Sequence, residues 1–499
     1  MSAKVHFIGI GGAGMSGIAR LLLARGVSVS GSDARESHVL AELRRAGAEV
    51  WVGQDGSKLR DAAGAEGLGE YTVVRSTAIR ADNAELLAAQ QAGARILHRS
   101  EALALAMGAD RVLAVAGTHG KTTTTAMLAV ALRAAGVNAS YAIGAEVPEL
   151  GANAALGEDT VFAAEADESD GSFLNYRPEV AVVTNVEPDH LDFYGSAEAV
   201  HRSFQQFVSL LPPHGALVIC ADDPGAAALA DWFMQEGGTG GRPSGARLWR
   251  YGRFEDADFR LLGQARELRV ESSLWAEPVA LPLMAPGEHN ALNAAAALAA
   301  AAAMLSAAEA QQLSPVSDWP QRAAEALASF RGAARRFEFR GEHGGVQVYD
   351  DYAHHPTEVR AALAAARSLL SAPQGRVLVL FQPHLFSRTR EFASDFAETL
   401  TAADQSWVLD IYPAREEPIP GVTSELITKA AAPSTEANVG TLILAADPQR
   451  AVAEIAAAAQ PGDLVLTVGA GSVTEQAGEI LQVLMNRASL PPGEPGRPS

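Results

Sequence analysis

Residues 112–128, VLAVAGTHGKTTTTAML, pass from an apolar run through two glycines and a lysine into a threonine- and alanine-rich segment. Val112–Ala116 reads as a strand, and the residues after Lys121 read as a helix. The turn between them, Gly117-Thr118-His119-Gly120-Lys121-Thr122-Thr123, can present backbone N–H groups to phosphate oxygens. Lys121 then reaches the β and γ oxygens of a nucleoside triphosphate, and the Thr122 hydroxyl suits Mg²⁺. The strict phosphate-loop pattern needs glycine at position 115, where Val115 stands, so the loop is a shortened variant. Lysine is scarce, with Lys4, Lys58, Lys121 and Lys429 the four in the chain, which argues against a chance lysine here.

A second glycine loop lies upstream. Gly9-Ile10-Gly11-Gly12-Ala13-Gly14-Met15-Ser16-Gly17 follows the apolar run Val5–Ile10 and opens a helical stretch. It satisfies G-x-G-x-x-G, in which glycines let backbone amides approach a diphosphate at a helix N-terminus. Asp33, 19 residues past Gly14, stands where a ribose-binding acid is expected. The pattern fits NAD and fits any other nucleotide diphosphate. Downstream, Glu165-Ala-Asp167-Glu168-Ser-Asp170 places four carboxylates at the end of the run Val161–Ala164, hard oxygen donors of the kind Mg²⁺ takes. Asn185-Val-Glu187-Pro-Asp189-His190-Leu-Asp192 ends a further strand, and His190 reads equally as metal ligand, phosphate donor or surface histidine. Two nucleotide loops and two acidic clusters describe an enzyme that consumes ATP while holding a separate nucleotide-linked substrate.

Outward from these loops, the pattern of short β-branched run, turn and alanine-rich helix occurs in three blocks, predicting an α/β chain. The first spans 1–107, with strands Val5–Ile10, Val27–Ser30, Glu49–Val52 and Thr72–Val74. The second spans 108–328, with strands Val112–Ala116, Val161–Ala164, Val180–Thr184 and Ala216–Cys220. The third spans 329–489, with strands Val346–Tyr349, Val377–Phe381, Ser406–Ile411 and Leu464–Val468, and 490–499 is expected to be a disordered tail. The length of 499 residues accommodates three domains, and 48% hydrophobic content supplies their cores. With 59 acidic against 39 basic residues, the charge of −20 excludes a surface that coats nucleic acid or an anionic membrane. The single Cys220 rules out an intramolecular disulfide. The alanine-rich Ala291–Ala308 reads as a buried or half-buried helix, too weakly apolar to span lipid. No export signal precedes the first glycine loop, so a cytoplasmic location is expected.

Taken together these segments resemble the Mur ligases of peptidoglycan synthesis, and most closely the branch that adds L-alanine. The resemblance runs over about residues 4–475 through GIGGAGMSGIA (9–19), GTHGKTTT (117–124), EADESD (165–170), TNVEPDHLD (184–192), PGEHNALN (286–293), RRFE (335–338), DDYAHHPTE (350–358), FQPHLFSRTR (381–390) and DIYPAREEPIPGV (410–422). It implies a Rossmann-like N-terminal domain for a UDP-sugar, a central phosphate-loop ATPase domain, and a Rossmann-like C-terminal domain that closes over both. The implied reaction joins L-alanine to the lactyl carboxylate of UDP-N-acetylmuramate, with ATP and Mg²⁺, in a monomer or weak homodimer that needs neither nucleic acid nor membrane. The UDP-sugar would lie on Gly9, Gly11, Gly12, Gly14, Asp33, Ser76 and Thr77. ATP would lie on Gly117 to Thr123, with Lys121 on the phosphates, Asn290 and Asn293 on the adenosine, and Arg335 in support. Thr122 and Glu165 would hold one Mg²⁺, and His190 a second. The stretch Ser196–Val208 has no lysine, in keeping with the alanine-adding branch.

The third block sets polar residues just past strand ends, where open α/β sheets bind ligands. Tyr352, His354 and His355 follow one strand, His384 and Arg388 another, and Arg415 a third. The resemblance implies that Tyr352, His354, His384 and Arg388 serve the amino acid and the reacting carboxylate, with His354 or His384 as base for the amine. Two positions depart from the family: Leu385 where arginine is common, and Ser472 where Asp or Asn is common. Three other readings compete. One is a recycling ligase that takes a ready-made peptide. Another is a nicotinamide-dependent oxidoreductase, which leaves Lys121 unexplained. The last is a catalytically silent nucleotide-binding relative.

Overall fold

The computed structural model describes residues 4–488 except 65–66, 109, 236–242, 244, 265–266, 307–312, 314, 371–373, 415 and 432–439. The expected tail 490–499 and Arg415 lie outside the described residues. The chain divides into two compact units, Met1–Met284 with Asn290–Phe330, and Ala285–His289 with Arg331–Ser499. Among the described residues the strands form three sheets, two in the first unit and one in the second.

The first sheet contains β1 (Lys4–Ile8), β2 (Ser28–Asp33), β3 (Glu49–Val52), β4 (Thr72–Arg75) and β5 (Arg95–His98), all parallel in the order β3-β2-β1-β4-β5. The order reverses between β1 and β4, which opens a crevice at their carboxyl ends. Gly9 follows β1 and Ser76 follows β4, so both expected UDP-sugar segments meet at that crevice. β1 stops at Ile8, short of the expected Ile10, because Gly9 turns the chain at φ +80°. β5 is four residues long and lacks a readable period.

The second sheet holds β6 (Arg111–Ala116), β7 (Ser140–Ala142), β8 (Ala154–Ala155), β9 (Val161–Glu165), β10 (Pro178–Val183), β11 (Ala216–Cys220), β12 (Arg247–Gly252), β13 (Phe259–Leu262), β14 (Arg269–Glu271) and β15 (Val279–Ala280). Its order is β15-β14-β13-β12-β11-β10-β6-β9-β7-β8. β6 lies between β10 and β9, with Ala116 opposite Val183 and Val115 opposite Glu165. The phosphate loop and both acidic clusters therefore leave the sheet side by side. The alanine run forms the helix Glu288–Leu305, whose residues from Ala294 to Met304 are all buried. No helix among the described residues is long and apolar enough to cross a membrane.

The sheet of the second unit contains β16 (Glu338–His343), β17 (Val346–Asp351), β18 (Val377–Phe381), β19 (Gln405–Val408), β20 (Thr441–Leu444) and β21 (Leu464–Val468), ordered β16-β17-β21-β18-β19-β20. Its strands are parallel except β16, which pairs antiparallel with β17. Alternation along β18 builds two cores: Val377, Val379 and Phe381 pack on one face, Leu378 and Leu380 on the other. β19 ends at Val408, three residues before expected, because its ladder partner β18 ends at Phe381.

An aromatic cluster fixes the segment that follows the first acidic group. Phe173 stacks on Phe207 at 4.8 Å and meets Phe204 edge-on at 5.4 Å. All three rings are fully buried. Phe204→Ala is expected to cost ~3–5 kcal/mol, seen as a lower urea midpoint for the transition that unfolds the first unit.

Candidate active site

At the first loop, the amides of Gly9 and Ile10 donate to the Ser32 carbonyl at 2.8 and 2.9 Å. Gly11 N donates to Asp33 Oδ2 at 2.9 Å, and a side chain at Gly11 would strike that oxygen. Asp33 thus braces the loop itself with one carboxylate oxygen. Ile79, just past Ser76 and Thr77, lies 3.4 Å from where a Cβ of Gly9 would be. Next to the loop sits a buried polar cluster that sequence reading missed. Glu85 accepts from the Ser32 hydroxyl and from Trp51 Nε1, and lies 3.5 Å from His6, whose ring stacks on Trp51. A strand histidine and a helix glutamate 79 residues apart offer no local signal, since either alone reads as an ordinary residue.

The second loop is held by its neighbour β10. His119 N donates to Asn185 Oδ1 at 2.7 Å, Asn185 Nδ2 returns a bond to the His119 carbonyl at 3.1 Å, and Thr184 Oγ1 donates to the same carbonyl at 2.5 Å. Gly117 has φ +138°, and a Cβ there would lie 2.0 Å from Thr184 Oγ1. Gly120 caps the helix Lys121–Ala134 at φ +81°, and a Cβ there would lie 2.7 Å from Asn293 Oδ1. Asn293 in turn accepts from Thr124 at 3.1 Å, and both Asn290 and Asn293 are buried. Thr118 exchanges bonds with Glu187, its hydroxyl accepting from Glu187 N at 2.9 Å. Thr123 is buried on the first turn of the helix.

Lys121 Nζ donates to the carbonyls of Gly117 and Thr118, at 2.8 and 3.1 Å, and to Glu168 at 2.8 Å. Burial disfavours its charge, but Glu168 and Asp167 outweigh that, so its pKa lies above the ordinary lysine value. Thr122 Oγ1 donates to Glu165 Oε1 at 3.0 Å, and Glu165 Oε2 accepts from Gly144 N. A hydroxyl and a carboxylate at the head of a phosphate-loop helix are the oxygen donors Mg²⁺ prefers, so these residues fit that ion. His190 takes a left-handed φ of 54° and sets Nε2 3.6 Å from Asp189 and 3.9 Å from Glu168.

The four carboxylates of the first cluster separate into two pairs. Glu165 and Glu168 serve Thr122 and Lys121. Asp167 instead accepts from Arg99, and Asp170 lies 3.4 Å from His98 Nε2. Burial would raise the Asp167 pKa, but Arg99 and then Lys121 hold it well below the usual carboxylate range. Two of the acids face basic residues at the end of β5.

In the second unit, four loops leave neighbouring strand ends. Tyr352 lies under two guanidinium groups, Arg335 at 4.9 Å and Arg336 at 5.1 Å from its ring centre. The rings of Tyr352, His354, His384 and Tyr412 follow one another at 5.4, 5.8 and 5.8 Å. His354 Nδ1 is 3.0 Å from the Tyr352 carbonyl and 3.4 Å from Glu358, while His355 caps the helix Pro356–Leu369. Arg335 donates to the carbonyls of Gly469 and Gly471 at 2.7 and 3.2 Å and sits 3.4 Å from the fully buried Asp350. It therefore ties the loop after β21 to the end of β17. Leu385 is buried at φ 71°, and Arg388, one helical turn on, is also buried. Ser472 accepts from Gln382 Nε2 at 3.4 Å, linking the loops after β21 and β18. Asp350, Asp351, Gln382 and Tyr412 were not singled out in the sequence. Asp351 accepts from Phe337 N and Ala353 N, and burial pushes it up to about 7 against the pull of Arg336. The doubled aspartate ending a strand was the available signal.

Comparison with known proteins gives three successive family matches: "Mur ligase family, catalytic domain" over residues 4–111, "Mur ligase middle domain" over 115–301, and "Mur ligase, glutamate ligase domain" over 335–471. The UDP-N-acetylmuramate–L-alanine ligase of Renibacterium salmoninarum is 55% identical over 487 residues, covering 97% of each chain. That of Arthrobacter sp. (strain FB24) is 56% identical over 486 residues, covering 97% of this chain and 96% of its own. Among solved structures, the UDP-N-acetylmuramate-alanine ligase of Thermotoga maritima superposes with a TM-score of 0.72 at 25% identity, over 98% of this chain and all of that one. A murein peptide ligase from Psychrobacter arcticus gives a TM-score of 0.69 at 26% identity, over 97% and 99%.

Gly117→Ala is expected to displace the phosphate loop, since both φ +138° and the Thr184 hydroxyl oppose a methyl group. The variant should bind ATP at least about tenfold more weakly, roughly 1.4 kcal/mol, in a titration with a fluorescent nucleotide.

Proposed function

The chain belongs to the Mur ligase family, and from that membership we propose that it joins L-alanine to the lactyl carboxylate of UDP-N-acetylmuramate, consuming ATP, in the making of peptidoglycan precursor. The observation that carries this reading is the identity of more than half, along almost the whole chain, with ligases of that name. Residues 1–107 hold the UDP-sugar, 108–328 hold ATP, and 329–489 serve the amino acid. The protein works in the cytoplasm as a monomer or weak homodimer.

A carboxylate acylates poorly because its carbon carries little positive charge and oxide is a hopeless leaving group. Transfer of the γ-phosphoryl group of ATP to the lactyl carboxylate gives an acyl phosphate. The alanine amine attacks it, and the tetrahedral intermediate collapses to amide and phosphate. The protein contributes position and charge. The loop amides after β6 cradle the phosphates. Lys121, kept as an ammonium by Glu168 and Asp167, neutralises the transferring oxygens. Mg²⁺ on Thr122 and Glu165, with His190 toward a second ion, would neutralise phosphate charge that otherwise repels the incoming carboxylate. In the second unit Arg388 offers positive charge to the acyl group, and Arg335 holds the loops that carry Tyr352 and Ser472 in place. His354, next to the Tyr352 carbonyl and Glu358, takes the proton from the attacking amine.

Phosphate release should require UDP-N-acetylmuramate, ATP and L-alanine together. Release of equal rate with the tripeptide L-alanyl-γ-D-glutamyl-meso-diaminopimelate in place of L-alanine would instead mark a peptide-adding ligase, and a murein peptide ligase shares this fold. Lys121→Ala should abolish phosphate release while leaving UDP-N-acetylmuramate binding within about threefold. Near-normal ATP turnover in that variant would remove the role given to the loop.

A further inference from the structure

Gly14, the third glycine of the first loop's motif, is not among the positive-φ glycines, so backbone conformation does not explain its missing side chain. A Cβ built there would lie 3.3 Å from Arg99 Nη1. In the usual form of this motif the third glycine allows a helix to pack closely on a strand. Here it gives room to a cation. The same guanidinium donates through Nη2 to Asp167, which sits between Glu165, the Thr122 partner, and Glu168, the Lys121 partner. Arg99 thus reaches from the helix that receives the UDP-sugar diphosphate to the acidic loop that serves ATP.

Its surroundings hold it in that posture. Arg99 opens the helix Arg99–Met107, which His98 and Glu101 cap reciprocally. His98 lies 3.4 Å from Asp170, and Asn175 Nδ2 donates to Ser100 Oγ at 2.8 Å. Three successive residues, His98, Arg99 and Ser100, therefore meet the 167–175 segment. Further along the glycine helix, Asn153 Nδ2 donates to the Ala13 carbonyl at 2.7 Å, and a Cβ on Gly17 would lie 3.2 Å from Ala154. The Arg99 side chain is about one-quarter exposed, with 25% of its surface open to solvent.

We propose that Arg99 is a positioning residue that couples the UDP-sugar site to the ATP site. Guanidinium donors form a rigid fork. A diphosphate over the first turn of the glycine helix engages the Nη1 arm, and the Nη2 arm keeps Asp167 in place. Fixing Asp167 fixes the Glu165–Asp170 loop on which Thr122 and Lys121 depend, so a nucleotide arriving second has less ordering to do. Thermodynamic linkage makes the effect reciprocal. The inference rests on the assignment of the two loops to UDP-sugar and ATP made above.

The test is calorimetric titration of AMP-PNP with Mg²⁺, with and without saturating UDP-N-acetylmuramate. For the unmodified chain the UDP-sugar should tighten nucleotide binding about tenfold. Arg99→Ala and Asp167→Asn should each bring that ratio to about one, while AMP-PNP affinity measured alone in Arg99→Ala stays within about threefold. Arg99→Lys keeps the charge without the fork and should recover only part of the ratio. A purely structural role would lower the melting temperature and both affinities yet leave the ratio unchanged, and that result overturns the proposal. So does a ratio of one in the unmodified chain. If Arg99→Ala fails to fold, Asp167→Asn, which preserves side-chain size, decides by the same ratio. Failure of the unmodified chain to bind UDP-N-acetylmuramate at all would overturn the functional reading itself, and the coupling with it.

Discussion

A largely buried ammonium group organises the loops at the end of the ten-stranded sheet. Lys121 sits where water cannot solvate it fully, its side chain 15% exposed, so neighbouring oxygens must do so. The Gly117 and Thr118 carbonyls and Glu168 supply them. That demand reaches far along the chain. The loop must curl so that two of its carbonyls face its own lysine, which requires the left-handed φ of Gly117 and Gly120. Asn185 and Thr184 must then take up the backbone groups of His119 that the curl exposes. Glu168 must be delivered from the neighbouring strand end, which the placement of β9 beside β6 achieves. Breaking a buried ion pair by removing one partner costs about 3–5 kcal/mol. The lysine, the sheet order and the acidic loop consequently form one constraint.

Much of this was legible because its cause is local. A strand, a glycine turn and a helix fall within the 17 residues from Val112 to Leu128, and the chemistry of a phosphate loop follows from that order alone. Most of the parallel strands announced themselves as β-branched runs; β1 ends early where Gly9 turns the chain and β19 where its ladder partner stops at Phe381, while β2 runs on to Asp33, three residues past the expected Ser30. Short edge strands were silent. β8 and β15 each contain two residues, too few for any period, and exist because a longer neighbour offers a ladder edge.

The site was less legible than the fold, for a different reason. Four carboxylates within six residues do not say which partner each takes. In the fold Asp167 and Asp170 turn to Arg99 and His98, and Arg99 lies 68 residues upstream of Asp167. Arg335 illustrates the same point in the second unit. It reads as a cation awaiting an anion, yet it binds the carbonyls of Gly469 and Gly471 and stacks on Tyr352. A charge identifies itself in sequence, whereas the group that uses it does not.

The acidic excess of the chain acquires a sense from these pairings. A protein of net charge −20 must bring together substrates that are themselves anionic, so its cations cannot be left to diffuse attraction. Four of them are set in place by carboxylates: Lys121 by Glu168, Arg99 by Asp167, Arg335 by Asp350, Arg336 by Glu358. Such pairing lowers the long-range pull on an anion, which screening would weaken beyond about 8–10 Å in any case. In exchange it fixes each cation in one direction before the substrate arrives. For phosphoryl transfer, where placement and charge stabilisation do most of the work, a fixed cation is worth more than an attractive surface.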